Sequence, residues 1–118
     1  MSVPSLAFDP VIHPPARLQI MAVLATVQDA EFAMLRKTAD ISDSVLSKHL
    51  SALSEAGYVK LRKAAQDGRQ RTWASITRAG RAAFRGHVAA LQALANLTGE
   101  AEEATDEPLA PGLAISPN

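Results

Sequence analysis

The chain has 118 residues and carries 12 acidic and 12 basic side chains. This length accommodates one ordinary domain, and a hydrophobic content of 47% is sufficient for a core. The absence of cysteine excludes disulfides and thiolate metal sites. No apolar run reaches the ~20 residues that a membrane span needs, and residues 1–9 lack the features of a signal peptide. We therefore expect a cytoplasmic protein without a membrane partner.

The neutral total hides an uneven distribution of charge. Residues 60–85 contain eight basic residues and one acid, Asp67, so this segment carries a net charge of +7. Five of the twelve acids lie together between Glu100 and Glu107. A concentrated basic segment is typical of a surface that contacts nucleic acid, and the alternative is a solvated basic face.

The seven prolines all lie within residues 4–15 and 108–117. Because proline breaks helices and central strands, the stretch between them is predicted to be the folded unit. We expect a domain over residues 13–98, a flexible segment over residues 1–12, and a disordered acidic tail over residues 99–118.

Three helices are predicted in the first half of this domain. The first begins near Pro15 and is apolar on several sides, so it is expected to be buried in the core or against a partner. Asp29 is expected to cap a short second helix. Ser42 is a good cap for a third helix over residues 43–56, in which leucines recur at offsets of four and seven before Gly57 ends it.

A β-hairpin and a long helix follow. Residues 58–62 and 71–76 alternate between polar and apolar side chains, and Asp67-Gly68 between them is a strong turn signal. Thr77 is expected to cap a final helix that begins at Arg78 and ends at about Leu97. The apolar stripe on this helix resembles a short coiled-coil seam, which predicts a second subunit as its partner. The expected dimer interface comprises Leu18, Met21, Phe84, His87, Val88, Leu91 and Leu94.

This order of elements predicts a mainly α fold with a small β-hairpin, in which a winged helix-turn-helix precedes a C-terminal dimerisation helix. A helix with a small, polar outer face can enter the major groove of DNA, and an arginine at a hairpin tip suits the minor groove. The expected DNA-binding residues are Ser42, Ser44, Ser47, Lys48, His49, Ser51, Arg69 and Arg71. For His49 two interpretations remain open: contact with a phosphate, or packing at the edge of the core beside Leu50.

The segment from Ser42 to Val59 resembles the recognition helix and following strand of MarR-type and ArsR-type repressors. Asp67-Gly68-Arg69 and the segment from Ile76 to Arg81 resemble the wing and the next helix start of the MarR class, so the likeness covers about residues 12–95. It implies a homodimer on a palindromic operator, with Arg69 as the wing arginine and Asp67 orienting that arginine or its loop.

The sequence also departs from these repressors. It lacks the long additional dimerisation helices of larger MarR proteins, and it lacks the cysteine and histidine set of metal-sensing ArsR proteins. We therefore expect no metal and no cofactor, and we leave the existence of a small-molecule effector open.

The sequence bears on three classes of function. The polar helix face and the basic hairpin favour a DNA-binding transcriptional regulator, most simply a repressor, whose partner is double-stranded DNA. The alternative is a winged-helix protein-interaction module that binds no DNA. An enzyme is not expected, because the sequence has no phosphate-binding glycine loop, and the adjacent Ser47, Lys48 and His49 point in different directions on a helix.

Overall fold

A computed structural model describes residues 8–105, which form four helices and a three-stranded antiparallel sheet of order β1-β3-β2. The elements are α1 (Pro15–Leu24), β1 (Ala30–Glu31), α2 (Phe32–Ala39), α3 (Asp43–Glu55), β2 (Val59–Gln66), β3 (Arg69–Ile76) and α4 (Arg78–Thr105). This arrangement confirms the predicted winged helix-turn-helix architecture.

The core lies between α1, α2, α3 and the sheet. Its buried side chains include Ile20, Met21, Leu24, Leu35, Leu46, Leu50, Leu53, Val59 and Ala74. Burial of each large aliphatic side chain contributes about 1.5–3 kcal/mol. Because the leucine stripe of α3 faces inward, the serine-rich side of this helix faces outward.

The turn between α2 and α3 is fixed by local contacts. Asp40 ends α2 in the left-handed conformation, with φ 55°. Ser42 caps α3 as predicted, since its hydroxyl accepts a hydrogen bond from the Val45 N–H at 3.3 Å. Arg36 then bridges the turn through an ion pair with Asp43 at 3.0 Å. These contacts set the angle at which α3 is presented to solvent.

The hairpin is longer than the sequence indicates. Strands β2 and β3 pair without interruption from Val59 opposite Ile76 to Gln66 opposite Arg69. Asp67 and Gly68 both have positive φ, at 54° and 73°, which is the pattern of a type I′ turn whose twist matches that of the strands. Residues 64–70 are therefore a paired hairpin tip and not a loop.

A short strand lies where a helix cap was expected. Ala30 and Glu31 pair with Ala74 and Trp73 on the free edge of β3, and α2 begins only at Phe32. The capping role expected for Asp29 is wrong, because its carboxylate instead accepts a hydrogen bond from Arg62 at 2.9 Å.

The expectation of a flexible segment is also wrong for residues 8–12. Ile12 is 0% exposed and belongs to the core. The carboxylate of Asp9 accepts a hydrogen bond from the Tyr58 hydroxyl at 2.6 Å, and the Asp9 N–H donates to Nδ1 of His87 at 2.9 Å. Residues 1–7 of that predicted segment lie outside the described residues.

Helix α4 begins as predicted, since the Thr77 hydroxyl accepts a hydrogen bond from the Gly80 N–H at 2.9 Å. It ends at Thr105 and not at about Leu97, because residues 100–104 are the strong helix formers glutamate and alanine and the next proline is Pro108. Residues 106–118 of the predicted tail lie outside the described residues. No helix within residues 8–105 combines the length and apolar character that crossing a bilayer requires.

Candidate nucleic-acid interface

The outer side of α3 is small, polar and accessible. Its exposed side chains include Ser44, Ser47, Lys48 and Ser51, preceded by the exposed cap Ser42. The opposite side is closed by Leu46, Leu50 and Leu53. A cylinder of this kind fits a major groove about 12 Å wide, and short hydroxyl side chains allow close approach to base edges.

The start of α3, the first residues of α2 and strand β3 border one groove. Asp43 at the first turn of α3 and Arg69, Gln70 and Arg71 of β3 line one open groove of about 450 Å³. Arg69 is exposed, and it has no carboxylate partner among residues 8–99, whose side chains the structure describes. Asp67 shapes the turn through its positive φ. Its carboxylate forms no ion pair with Arg69.

The surroundings of Arg71 do not fit the DNA contact expected for it. Its Nη1 atom donates to Glu31 Oε2 at 2.7 Å, and both side chains are half-buried. Its Nε atom is buried without a hydrogen-bond partner. Arg71 therefore ties the hairpin to β1, and the DNA contact expected for it is wrong because its charge is already paired within the fold.

A second arginine of the hairpin is held in the same way. Arg62 pairs with Asp29 at 2.9 Å, and its guanidinium lies 5.8 Å from the centre of the Trp73 ring. Asp29 and Glu31, beside and within β1, thus compensate the charges of Arg62 and Arg71, while the charge of Arg69 remains available at the tip of the hairpin.

His49 is half-buried at the edge of α3. Its Nδ1 atom accepts a hydrogen bond from Nε of Arg17 at 3.0 Å. Burial lowers the pKa of His49 below its ordinary value, and the positive charge of Arg17 lowers it further. Arg17 therefore occupies one ring nitrogen of His49, and the other, Nε2, is the atom that a phosphate contact would use.

The expected dimer seam is only partly accessible. Met21 and His87 are each 0% exposed, so they have no surface to offer a second subunit, and their assignment to the interface is wrong. Leu18 and Phe84 are half-buried against the chain's own core. Val88 and Leu91 are half-buried, whereas Leu94 and Leu97 are 43% and 55% exposed.

The accessible part of the expected interface belongs to an apolar strip whose extent the sequence did not predict. Phe8, Pro10, His13, Leu91 and Leu94 line an open cavity of about 370 Å³, and Leu97 continues the strip along α4. Phe8 is 39% exposed. The segment before α1 thus contributes to this surface together with α4, whereas the expected dimer interface comprised residues of α1 and α4 alone.

His87 is buried by groups distant in sequence. Its Nδ1 accepts from the Asp9 N–H, so in the neutral ring Nε2 carries the proton and donates to Nδ1 of His13 at 3.1 Å. Burial lowers the pKa of His87, the nearby His13 lowers it further, and Asp9 opposes this effect. The hydrogen bond to Asp9 raises the pKa of Tyr58, with burial and the Asp9 charge acting in the same direction.

Sequence analysis missed two polar residues that organise these contacts. Arg17 is the one charged residue in α1, and this isolation was a signal that it has a specific partner. Asp9 carried no such signal, because its partners lie 49 and 78 residues away.

Comparisons with known proteins agree with this geometry. Residues 16–95 match the family described as a winged helix DNA-binding domain. An uncharacterised protein of Methanocaldococcus jannaschii is 35% identical over 72 residues, which cover 61% of this chain and 78% of that protein. The solved structure of a transcriptional regulator homologue from Pyrococcus horikoshii has a TM-score of 0.70 and 30% identity, covering 75% of this chain and 87% of its own.

The Streptomyces coelicolor regulator PcaV, solved with its natural ligand, has a TM-score of 0.67 at 18% identity, covering 86% of this chain and 70% of PcaV. The predicted resemblance to MarR-type regulators is confirmed at the level of the fold. The family match spans all of the elements from α1 to β3 and most of α4, including both the outward face of α3 and the hairpin. The chain therefore belongs to the winged helix DNA-binding domain family.

Proposed function

We propose that the protein is a cytoplasmic, homodimeric transcriptional repressor that binds a palindromic operator. In this proposal α3, within the predicted span 43–56, occupies the major groove, and the wing, residues 64–70, reaches the adjacent minor groove. The observation that supports it best is that α3 exposes its serine-rich face, while Asp43 at the start of this helix and the exposed Arg69 of the wing line the same open groove.

The proposed contacts differ in kind. Ser44, Ser47 and Ser51 are short, exposed donors and acceptors suited to base edges, and Lys48 is an exposed charge suited to a phosphate. Arg69, at the wing tip, suits a narrow minor groove, where negative potential is concentrated.

The homodimer is proposed from α4. The strip formed by Leu91, Leu94 and Leu97 leaves large apolar side chains half-buried or exposed, and a second copy would cover them. A two-fold dimer reads two half-sites about 10 base pairs apart, so its operator is an inverted repeat. Occupancy of a promoter by such a dimer represses transcription.

A small-molecule effector is suggested by the structural neighbour PcaV. PcaV was solved in complex with its natural ligand, and no residue of this chain is assigned to such a molecule.

Selection of genomic DNA tests the proposal. Purified full-length protein is mixed with fragmented DNA from its own genome, and the retained fragments are sequenced at low and at physiological salt. We expect an enriched inverted repeat whose affinity falls steeply with salt, because phosphate contacts release counterions. Lys48→Glu should abolish retention, whereas Asn96→Glu, which introduces an acid on an exposed part of α4, should not.

Two outcomes would contradict the proposal. Failure to retain any fragment at low salt would favour the protein-interaction module. Retention without a shared sequence would leave a non-specific DNA-binding protein and not an operator-specific regulator.

A further inference from the structure

Arg17 connects three parts of the molecule that are distant in sequence. From α1, its Nε atom donates to Nδ1 of His49 on α3 at 3.0 Å, and its Nη1 atom donates to the carbonyl of Val11 at 3.1 Å. Two fixed acceptors hold the guanidinium plane, so its position does not depend on solvent. Arg17 is also half-buried.

This contact determines which nitrogen of His49 carries the proton. An arginine is always protonated and can only donate, so Nδ1 of His49 must accept. A neutral imidazole has one acceptor and one donor nitrogen, which places the proton on Nε2. A doubly protonated ring would set an N–H and a positive charge against the guanidinium, in agreement with the lowered pKa of His49.

The remaining nitrogen, Nε2, is not sealed inside the protein. Among the side chains of residues 8–99, Nε2 of His49 finds no hydrogen-bond partner, and it is absent from the buried polar atoms that lack one. Its N–H therefore reaches solvent. On α3, His49 is half-buried and directly follows the exposed Lys48, so it lies between the buried side of the helix and its polar outer face.

We propose that Arg17 is a positioning residue for DNA binding: it fixes His49 in the tautomer whose Nε2–H donates to a backbone phosphate at the edge of the major groove. Arg17 itself acts through His49 and through the Val11 carbonyl, not by reading bases. This inference rests on the proposed function, since it names a contact within that interface.

A neutral donor has a distinctive salt dependence. A lysine or arginine that contacts a phosphate releases a counterion and adds about 0.9 to the slope of log affinity against log salt. Neutral His49 releases none. Loss of His49 should therefore lower affinity equally at all salt concentrations, whereas loss of Lys48 should also reduce the slope.

The first experiment examines the free protein. Nitrogen NMR of the histidine side chains should show His49 with Nε2 protonated and Nδ1 unprotonated in the wild type. In Arg17→Met the preference for this tautomer should be lost and the pKa of His49 should rise. A wild-type ring protonated on Nδ1 would overturn the inference whatever the DNA measurements show.

The second experiment measures affinity for the selected operator at several salt concentrations. His49→Ala and Arg17→Met should each weaken binding by about three- to tenfold, the value of one hydrogen bond, and the double variant should be no weaker than the weaker single one. His49→Gln, whose amide can accept from Arg17 and donate outward, should retain binding. Thermal unfolding of each variant identifies any that fold poorly, and His49→Gln provides the comparison that preserves the packing.

The measurements distinguish a failure of the Arg17 role from a failure of the proposed DNA-binding function. Normal operator binding by His49→Ala, or strictly additive losses in the double variant, would overturn the role of Arg17 and leave the proposed function intact. A wild-type protein that binds no duplex would overturn the proposed function and this role with it, even if the tautomer is as expected.

Discussion

Arg69 and Arg71 carry the same charge and lie in the same strand, but their surroundings differ. Arg69 is exposed at the wing tip, whereas Arg71 is paired with Glu31 at 2.7 Å. The charge of Arg71 is therefore already compensated within the fold, and only Arg69 is positioned to contribute its charge to DNA. A residue count of basic side chains cannot make this distinction.

The pair provides a matched comparison. Arg69→Ala should weaken operator binding by about 1–3 kcal/mol and leave thermal stability unchanged. Arg71→Ala should instead cost about 1 kcal/mol of stability, because it leaves the Glu31 carboxylate without its partner. Fluorescence anisotropy and thermal unfolding measure the two effects. If Arg71→Ala weakened binding as strongly as Arg69→Ala while melting normally, the exclusion of Arg71 from the interface would be wrong.

His87 makes the stability of the fold depend on pH. Burial lowers its pKa below the ordinary value of 6.5, so between these two pKa values the unfolded chain binds more protons than the folded one. Stability is then fully present above pH 6.5 and is lost as the pH falls from there through the lowered pKa. His49, whose pKa is also lowered, contributes in the same direction.

Urea unfolding between pH 7.5 and pH 5 should therefore show a falling free energy of unfolding. His87→Gln should reduce this pH dependence without abolishing it, because the amide can accept from Asp9 and donate to His13 without titrating, and His49 remains. Equal pH dependence in the variant and the wild type would contradict a lowered pKa of His87 in the folded protein.

At the scale of the element, the junction between β2 and α4 depends on close backbone approach. A Cβ atom added at Gly80 would lie 2.1 Å from the carbonyl oxygen of Tyr58. This contact is with backbone, which cannot move aside as a flexible side chain can. The first turn of α4 can therefore pack against the start of the hairpin only if position 80 lacks a side chain.

Gly80→Ala should destabilise the protein by about 3 kcal/mol or more, since overpacking here must displace the backbone. Gly86 is the control, because it lies in the same helix and a Cβ there meets no atom within 4 Å. Gly86→Ala should add about 0.5–1 kcal/mol of stability through helix propensity. Chemical unfolding of both variants checks the prediction, and losses of similar size would exclude a specific clash at Gly80.

The elements differed in how far their sequences specified them. Helix α3 was predicted within one residue at its C-terminal end, because a capping serine, a leucine stripe and Gly57 all act locally. Strand β1 was not predicted, because two residues are too few to show alternation and they pair with β3 more than 40 residues later. The burial of His87 was missed for the same reason, since its stripe position matched an apolar seam but its partners come from residues 9 and 13.

In the candidate interface, too, local features were predictable and contacts between residues distant in sequence were not. The serine face of α3 and the wing turn are readable from local sequence. The pairing of Arg71 and the orientation of His49 depend on Glu31 and Arg17, which approach only through tertiary packing.

At the scale of the whole molecule, the proposed dimer should depend on the exposed part of α4. Leu94→Glu should convert the dimer to a monomer, because a charge in an apolar contact is strongly unfavourable, and operator affinity should fall with it. Asn96→Glu adds the same charge at an exposed position outside the strip and should remain dimeric. Sedimentation analysis distinguishes the two, and an unchanged mass for Leu94→Glu would remove α4 from the dimer contact.

The docking of residues 8–13 has a practical consequence for the boundary of the domain. The span shared with the family begins at residue 16, yet Ile12 fills the core, and the backbone at Asp9 and Val11 supplies partners for His87 and Arg17. A shortened protein cut to the shared span would open a hole in its interior and release both side chains from their partners. The smallest self-sufficient unit of this protein is therefore longer at its N-terminal side than the span that matches the family.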